Sequence, residues 1–219
     1  MTDYERFIVG QEVAIIGGSD FPDRERRRLT SWSWPGRIVR INEHVLRQGG
    51  RCDVIYHTTT STPPISSRLF DGDFRPAWVF LNLVDYEYEG GNREEPLWSS
   101  WWHQARKRWP EVRLGHFAQG QWGRQNPYGA EHEWLNEIHN RLDAILLTGV
   151  VALAHVLRFR PARVYVTGFD LYDGAGIAGL HDLSKNARFL AELLRTFPET
   201  LVYDEPLLDG IRRRGIEVR

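Results

Sequence analysis

The sequence predicts an α/β fold in which one mostly parallel sheet carries helices on both faces. Short apolar or β-branched runs, bounded by turn residues, alternate along the chain with longer segments of helical spacing. Alternation of this kind is typical of strand-helix-strand units and of a parallel sheet. At 219 residues the chain is long enough for one such domain and too short for two. We therefore expect a single domain, residues 1–219.

The elements follow in order along the chain. The candidate strands are VAIIG (13–17), RIVRIN (37–42), CDVIYH (52–57), AWVFLNLV (77–84), VRLGHF (112–117), RVYVTGF (163–169) and TLVYD (200–204). The candidate helices are DRERRRLTSW (23–32), EPLWSSWWHQARKRW (95–109), AEHEWLNEIHNRLDAI (130–145), TGVVALAHVLRF (148–159) and LSKNARFLAELLRTF (183–197), several of them opened by Thr, Ser, Asp or Pro.

A segment rich in tryptophan and arginine, at about 96–130, interrupts this pattern as an insert. Six of the nine tryptophans fall between positions 98 and 134, and QGQWGRQNPYGA within it reads as a loop. One interpretation is a helix that packs its aromatic side chains on the sheet. The other is an acceptor-binding lid, because aromatic faces beside guanidinium groups suit the stacking of sugars and bases. The candidate acceptor contacts are Trp101, Trp102, Arg106 and Arg108.

Charge and cysteine content restrict the class of protein. The formal net charge is -1, so the balance does not direct the whole chain to nucleic acid or to a membrane. Only Lys107 and Lys185 among the 28 basic residues are lysines, a bias that genome composition or phosphate recognition can produce. Cys52 is the single cysteine, which excludes an internal disulfide and a thiolate zinc site. With no signal peptide or membrane anchor in the sequence, we expect a cytoplasmic protein.

Glycines follow two of the predicted strands. Gly17 and Gly18 end VAIIGGSD, and Gly168 ends the strand in YVTGFDLYDGAG. Ligands of parallel α/β sheets bind at the carboxyl ends of the strands, where free amides and helix starts can hold a phosphate. A tight turn is the competing interpretation, because the dinucleotide pattern G-x-G-x-x-G and the P-loop lysine are both absent.

His181 and an acidic pair are the further candidates for chemistry. His181 lies at a loop-helix junction, and the ordinary pKa of histidine suits proton abstraction near neutral pH. A structural histidine is the alternative. Asp71 and Asp73 have a spacing that can hold a divalent cation on a sugar diphosphate, although Asp-Gly is also an ordinary turn. No G-x-S-x-G elbow occurs, which argues against serine-hydrolase chemistry.

Three segments, in this order, resemble the sialyltransferase family. VAIIGGSD followed by GRIVRINEHVLRQGGRCDVIYHT is similar to the family's large motif, and LTGVVALAHVLRFRPARVYVTGFDLY to its small motif. The third segment, His181 with the leucine-rich helix and TLVYD after it, resembles the short histidine motif. Together they cover roughly 13–58 and 147–204. The positions that match the large motif are Gly17, Gly18, Ser19, Arg40, Asn42, Gly50, Arg51 and Asp53.

Three positions depart from the family's pattern. Gly18 replaces an asparagine, no proline precedes Thr148, and Asn186 stands where the last motif usually has glutamate.

The resemblance implies a Rossmann-like, GT-A-like variant fold and an inverting, metal-independent glycosyltransferase that uses a CMP- or UDP-linked nucleotide sugar and no cofactor. His181 would be the general base. The donor site would comprise Gly17, Gly18, Ser19, Thr148 and Gly149 near the leaving phosphate, Asn42 on the nucleotide, Asp170 on the ribose or base, and Tyr172 on the phosphate.

The acceptor stays open between a glycan and a hydroxymethylated base in DNA, as in phage DNA modification. A non-catalytic nucleotide- or nucleic-acid-binding module with the same fold is a rival from another class. A nicotinamide oxidoreductase is a third, which lacks the glycine fingerprint. The sequence indicates no oligomeric state.

Overall fold

The structure is a computed structural model of the chain. It describes residues 1–18, 28–29, 31, 33–42, 51–58, 70, 73–84, 97–119, 133–169, 171 and 181–218.

Seven strands form one sheet, and every neighbouring pair of strands in it is parallel. The order across the sheet is β5-β4-β3-β2-β1-β6-β7. The strands are β1 (Glu12–Ile16), β2 (Arg37–Ile41), β3 (Val54–Thr58), β4 (Trp78–Val84), β5 (Arg113–Gln119), β6 (Arg163–Thr167) and β7 (Leu201–Tyr203). All seven correspond to predicted strands, and the predicted fold class is confirmed.

Six helices have both ends within the described part of the chain. They are α1 (Asp3–Ile8), α2 (Leu97–Arg108), α3 (Glu133–Leu142), α4 (Thr148–Arg158), α5 (Leu183–Thr196) and α6 (Glu205–Arg212). Helices α2 to α5 correspond to predicted helices, whereas the helix predicted over 23–32 lies mostly outside the described residues.

Helices α1 and α6 were not predicted, because both are short. Their starts carry local signals all the same. Thr2 and Glu5 form a capping box at α1, and the Asp204 side chain accepts from the Leu207 amide at the start of α6, which has proline in its first turn.

Helices pack on both faces of the sheet. On one face α4 lies over β1, β2 and β3, and every residue from Thr148 to Leu157 is buried. On the other face Ala105 of α2 joins a smaller core with Ile55 and Val79. Since neighbouring residues of a strand point to opposite faces, β3 contributes to both cores.

Two of the tryptophans between 98 and 134 lie in these cores. Trp109 is buried beside Phe70 and Phe74, and its indole N-H donates to the Phe74 carbonyl at 2.9 Å. Trp134 stacks on His155 with ring centroids 5.6 Å apart. The burial of these two side chains agrees with the interpretation that the tryptophans pack on the sheet. Residues 97–119 of the predicted insert supply α2 and the edge strand β5.

None of the helices within the described residues is both long enough and apolar enough to cross a membrane.

Candidate active site

The sheet reverses its strand order between β1 and β6. From β1 the chain moves outward through β2 to β5, and it then returns to place β6 on the opposite side of β1. At such a switch point the connections leave the two strands in opposite directions, which opens a crevice at their carboxyl ends. Gly17 follows β1 and Gly168 follows β6, so both glycines lie at this crevice.

The two glycine turns are packed against each other. The Gly17 amide donates to the Thr167 carbonyl at 2.8 Å. Gly168 has φ +83°, and a Cβ there would lie 2.8 Å from the Gly17 carbonyl carbon. A side chain at position 168 is thus excluded by conformation and by space. Because the Gly17 amide is already bonded, the amides that remain for a ligand begin at Gly18.

Helix α4 begins beside this crevice. A Cβ on Gly149 would lie 2.5 Å from Cε1 of Phe169, just after β6. Helices between parallel strands run back along the sheet, so the start of α4 lies at the carboxyl edge. Leu147 is the N-cap residue and makes no side-chain capping bond. The first amides of α4 therefore present a partial positive charge without a side-chain cap among the described residues.

A line of buried amide side chains ends on Thr148. Gln119 exchanges two hydrogen bonds with the backbone of Leu146: its Oε1 accepts from the amide at 2.7 Å and its Nε2 donates to the carbonyl at 3.0 Å. Gln119 Nε2 also donates to Oδ1 of Asn82 at 2.8 Å, and Asn82 Nδ2 donates to the Thr148 hydroxyl at 3.1 Å.

The direction of this line is fixed by the backbone. An amide N-H can only donate, so Leu146 determines which end of the Gln119 side chain is oxygen. That choice orients Asn82, and Asn82 in turn makes the Thr148 oxygen an acceptor. The hydroxyl proton of Thr148 must point elsewhere, and it has no acceptor among the described residues. It is available as a donor at the start of α4.

His181 lies one residue before the N-cap of α5. Its Nδ1 donates to the Ile145 carbonyl at 3.1 Å, which leaves the Nε2 lone pair to accept a proton. The imidazole is half-buried, and this burial holds the pKa of His181 below its usual 6.5, although the bond to Ile145 acts in the opposite direction. The side chain is therefore mostly in its neutral form at pH 7, the form that a general base requires.

Asn42 follows β2 at the same edge of the sheet. Its φ of +53° is left-handed, a conformation that asparagine tolerates better than most residues. Its amide donates to the Tyr56 carbonyl at 2.7 Å, and its Oδ1 accepts from the Thr58 amide at 2.8 Å. The side-chain oxygen thus ties β2 to β3. The Nδ2 group is left without an acceptor among the described residues.

Other predicted site residues lie apart from this group or outside the described residues. Ser19, Asp170, Tyr172 and Asp71 are outside, as are the side chains of Trp101 and Trp102, although their backbone belongs to α2. Arg106 and Arg108 are exposed in the last turn of α2, next to the amino ends of β4 and β5, and Arg108 donates to the Phe70 carbonyl. The structure does not bring these two arginines to the crevice.

Asp73 is exposed, and nowhere in the described ranges do three or more His, Cys, Asp or Glu side chains come close enough to hold a metal ion.

The sequence did not single out three polar residues of the site as side-chain donors and acceptors. Asn82 and Gln119 lie among apolar residues near the carboxyl ends of β4 and β5, and such isolated amides in a buried strand are a usable signal. Asp204, at the end of β7, is half-buried beside Thr167 and Gly168, and burial raises the pKa of its carboxyl. All three lie toward the edge of the sheet where the glycine turns meet.

No protein-family model matches the sequence, and no curated protein is significantly similar to it. Solved structures similar in fold include the sialyltransferase CstII from Campylobacter jejuni in complex with a substrate analogue, CMP-3FNeuAc (11% identity, TM-score 0.47, 88% of this chain and 80% of that chain). Monomeric CstII gives 13% identity, TM-score 0.48, and coverage of 88% and 80%. CstII in complex with cytidine-5'-monophosphate has 12% sequence identity and a TM-score of 0.46, and the match covers 88% of this chain and 79% of that chain.

Proposed function

We propose that this chain is an inverting glycosyltransferase that moves a sugar from a nucleotide-sugar donor to an acceptor hydroxyl without a metal ion. One observation carries the proposal. The carbonyl that orients His181 belongs to Ile145, three residues before Thr148, where α4 presents its first amides. A neutral base and an anion-binding helix start are therefore held by the same short stretch of backbone.

In this reaction His181 acts on the acceptor. Its Nε2 takes the proton from the acceptor hydroxyl as that oxygen forms a bond to the anomeric carbon of the donor sugar. The bond from the anomeric carbon to the phosphate oxygen breaks, and the electron pair leaves with the nucleotide. Attack from the side opposite the leaving group inverts the configuration. The Nδ1-H bond to Ile145 stabilises the tautomer that accepts at Nε2.

The start of α4 acts on the leaving group. Negative charge grows on the phosphate as the bond breaks, and preorganised amides with a hydroxyl donor stabilise such charge without rearranging. Thr148 supplies the hydroxyl, whose proton is directed away from Asn82, and the amides near Gly149 supply the helix-end field. In this proposal these groups take the part that a divalent cation plays in other transferases.

The remaining donor contacts follow from the motifs. Gly18 and Ser19 would contribute amides, and Asn42 would donate through Nδ2 to the nucleotide. Asp170 and Tyr172 would contact the ribose or base and the phosphate. The nucleotide is CMP or UDP.

The acceptor is proposed to be a glycan or a hydroxymethylated base in DNA, with Trp101 and Trp102 of α2 as contacts. A strand of five to seven residues spans about 20 Å. Arg106 and Arg108 would therefore reach only an acceptor that extends along the sheet, as a DNA duplex does. Phosphate contacts by these arginines would weaken DNA binding as salt rises.

His181→Gln tests the base, with His139→Gln as the matched control. His139 also donates from Nδ1 to a backbone carbonyl, that of Ala144, but it lies on α3. With CMP- and UDP-sugars as donors, we expect His181→Gln to lower kcat by about 10²- to 10⁴-fold while nucleotide affinity is kept. His139→Gln should stay within about threefold. Undiminished turnover in His181→Gln at neutral pH would refute the base assignment.

The pH profile gives an independent check. Because burial holds the pKa of His181 below 6.5, kcat/KM of the wild type should fall on acidification and reach half of its plateau value at a pH below 6.5.

Thermal-shift measurements with CMP, UDP, GDP and NAD separate the rival classes. Stabilisation by a nucleotide with no transfer or hydrolysis of any nucleotide sugar would indicate a binding module, and stabilisation by NAD alone would indicate an oxidoreductase.

A further inference from the structure

The five residues 143–147, here called the connector, join α3 to α4 and are held by side chains rather than by secondary structure. Four carbonyls and two amides of the connector bond to side chains from other elements. The donors to the carbonyls are Lys185 on Asp143, His139 on Ala144, His181 and Asn186 on Ile145, and Gln119 on Leu146. One backbone segment thus both accepts the hydrogen bond from His181 and leads directly into α4.

We propose that Asn186 is a positioning residue that holds the base, His181, and the start of α4 in a fixed relative arrangement. This rests on the proposed function, because it names the residue that aligns the two halves of that site. Asn186 is fully buried in the first turn of α5. Among the described residues it is the one whose side chain bonds both to the carbonyl that His181 uses and to the residue that caps α4.

On the base side, Asn186 fixes the Ile145 carbonyl. Its Nδ2 donates to that oxygen at 3.0 Å and to the Asp182 carbonyl at 2.9 Å, while His181 Nδ1 donates to the same Ile145 oxygen at 3.1 Å. Asp182 is the N-cap of α5 and directly follows His181. Asn186 therefore fixes the distance between the Ile145 carbonyl, which accepts from His181, and the backbone at Asp182, which carries His181.

On the donor side, Asn186 satisfies the amide that precedes α4. Its Oδ1 accepts from the Leu147 amide at 2.9 Å, and Leu147 is 7% exposed. Without this acceptor a buried N-H would be left unpaired, which favours movement of the segment toward water. Leu147 has φ -60° and ψ 143°, values that proline also adopts.

An amide is the group that this position requires. Two carbonyl oxygens need donors and one amide needs an acceptor, and only an asparagine or glutamine side chain supplies both. An ionised carboxylate would face the oxygens of Ile145 and Asp182. The bond from the Leu147 amide to Asn186 relates two departures from the family's motifs, the missing proline before Thr148 and the asparagine in place of glutamate. A proline at position 147 would have no N-H for the Asn186 oxygen to accept.

The test combines Asn186→Ala with Leu147→Pro. Nitrogen-15 NMR of the imidazole reports the His181 tautomer in the ligand-free protein, and CMP is the probe of the α4 start. In the wild type we expect the Nδ1-H tautomer. Asn186→Ala should populate the Nε2-H tautomer and weaken CMP binding about tenfold, the effect of losing one well-placed hydrogen bond.

The double variant Asn186→Ala/Leu147→Pro should recover CMP affinity to within about threefold, because proline removes the orphaned N-H and keeps the backbone angle. The His181 tautomer should stay mixed. The double variant also leaves no buried amide unpaired at position 147, so its His181 tautomer can be measured if the single variant does not fold.

The proposal is overturned if folded Asn186→Ala keeps both the wild-type tautomer and the wild-type CMP affinity. It is also overturned if His139→Gln, which loosens the connector at Ala144, changes the tautomer equally. Failure of the wild type to bind CMP would count against the proposed donor, and the tautomer measurement would still decide the role of Asn186.

Discussion

The ring of Phe169 occupies space that two glycines leave open at the candidate site. A Cβ at Gly17 would lie 2.9 Å from Phe169 Cδ2, and a Cβ at Gly149 would lie 2.5 Å from Cε1. Phe169 is itself 7% exposed. The absence of a side chain at both positions thus serves packing, whichever ligand the amides bind, and it brings the start of α4 against the β6 turn.

Gly149→Ala separates packing from helix propensity. In a helix alanine is favoured over glycine, by up to about 1 kcal/mol. The contact with Phe169 predicts the opposite sign here, a loss of about 1–3 kcal/mol in the free energy of unfolding. In the background Phe169→Leu the same change should cost at least 1 kcal/mol less, as measured by urea denaturation in a double-mutant cycle. Stabilisation by Gly149→Ala in the wild-type background would contradict the packing role.

At the scale of elements, a buried polar contact fastens α1 and α4 to β3. The hydroxyls of Tyr4 and Tyr56 are 3.0 Å apart, and the Tyr56 hydroxyl is 2.6 Å from Nδ1 of His155. The His155 ring lies between Tyr4 and Trp134, stacked on both. Tyr56 is therefore the middle group of a line that crosses from the first helix to the sheet and on to α4.

Removing the middle hydroxyl should cost more than removing the end. Tyr56→Phe breaks the hydrogen bonds to both Tyr4 and His155, each of which contributes about 1 kcal/mol to stability. Tyr4→Phe breaks one bond and should cost about 1 kcal/mol. Equilibrium unfolding in urea compares the two variants. Equal losses would show that the three groups do not act as one line.

For the whole molecule, a buried histidine in the sheet makes stability fall as the pH drops. His57 on β3 is 1% exposed, and burial lowers its pKa from 6.5 to about 4. Between these two values the unfolded chain binds a proton at this residue and the folded chain does not. Stability therefore rises with pH in this window and falls as the pH drops from 6.5 to 4, by about 3 kcal/mol in total. Burial lowers the pKa of His181 too, which acts in the same direction.

His57→Leu removes this titration. Relative to its own stability at pH 6.5, the variant should lose about 3 kcal/mol less than the wild type on acidification to pH 4. Urea unfolding at a series of pH values measures the difference, and referring each protein to pH 6.5 cancels any constant effect of the substitution. Parallel pH curves for the two proteins would contradict the prediction.

The strands were predictable because parallel strands buried on two faces are short apolar runs between turn residues, a local property. Runs such as VAIIG and RVYVTGF met this condition. Helices α1 and α6 were missed because they are too short to show a helical repeat of apolar residues, and their starts depend on a few capping atoms. The residues of the described site that the sequence named are Gly17, Gly18, Asn42, Thr148, Gly149 and His181. Their roles in transfer stay predictions, as do those of Ser19 and Asp170.

The sequence by itself determined the elements, the single parallel sheet and the residue types that could do chemistry, because periodicity, turn residues and helix caps act over a few positions. Tertiary structure decided which of them meet. The Asn82-Thr148 bond joins residues 66 positions apart, the Gln119-Leu146 bonds join residues 27 apart, and Asn186 reaches 41 positions back to Ile145. Side chains find partners at such distances only after the strands are ordered, which is why the sequence could mark these amides as unusual but could not name their partners.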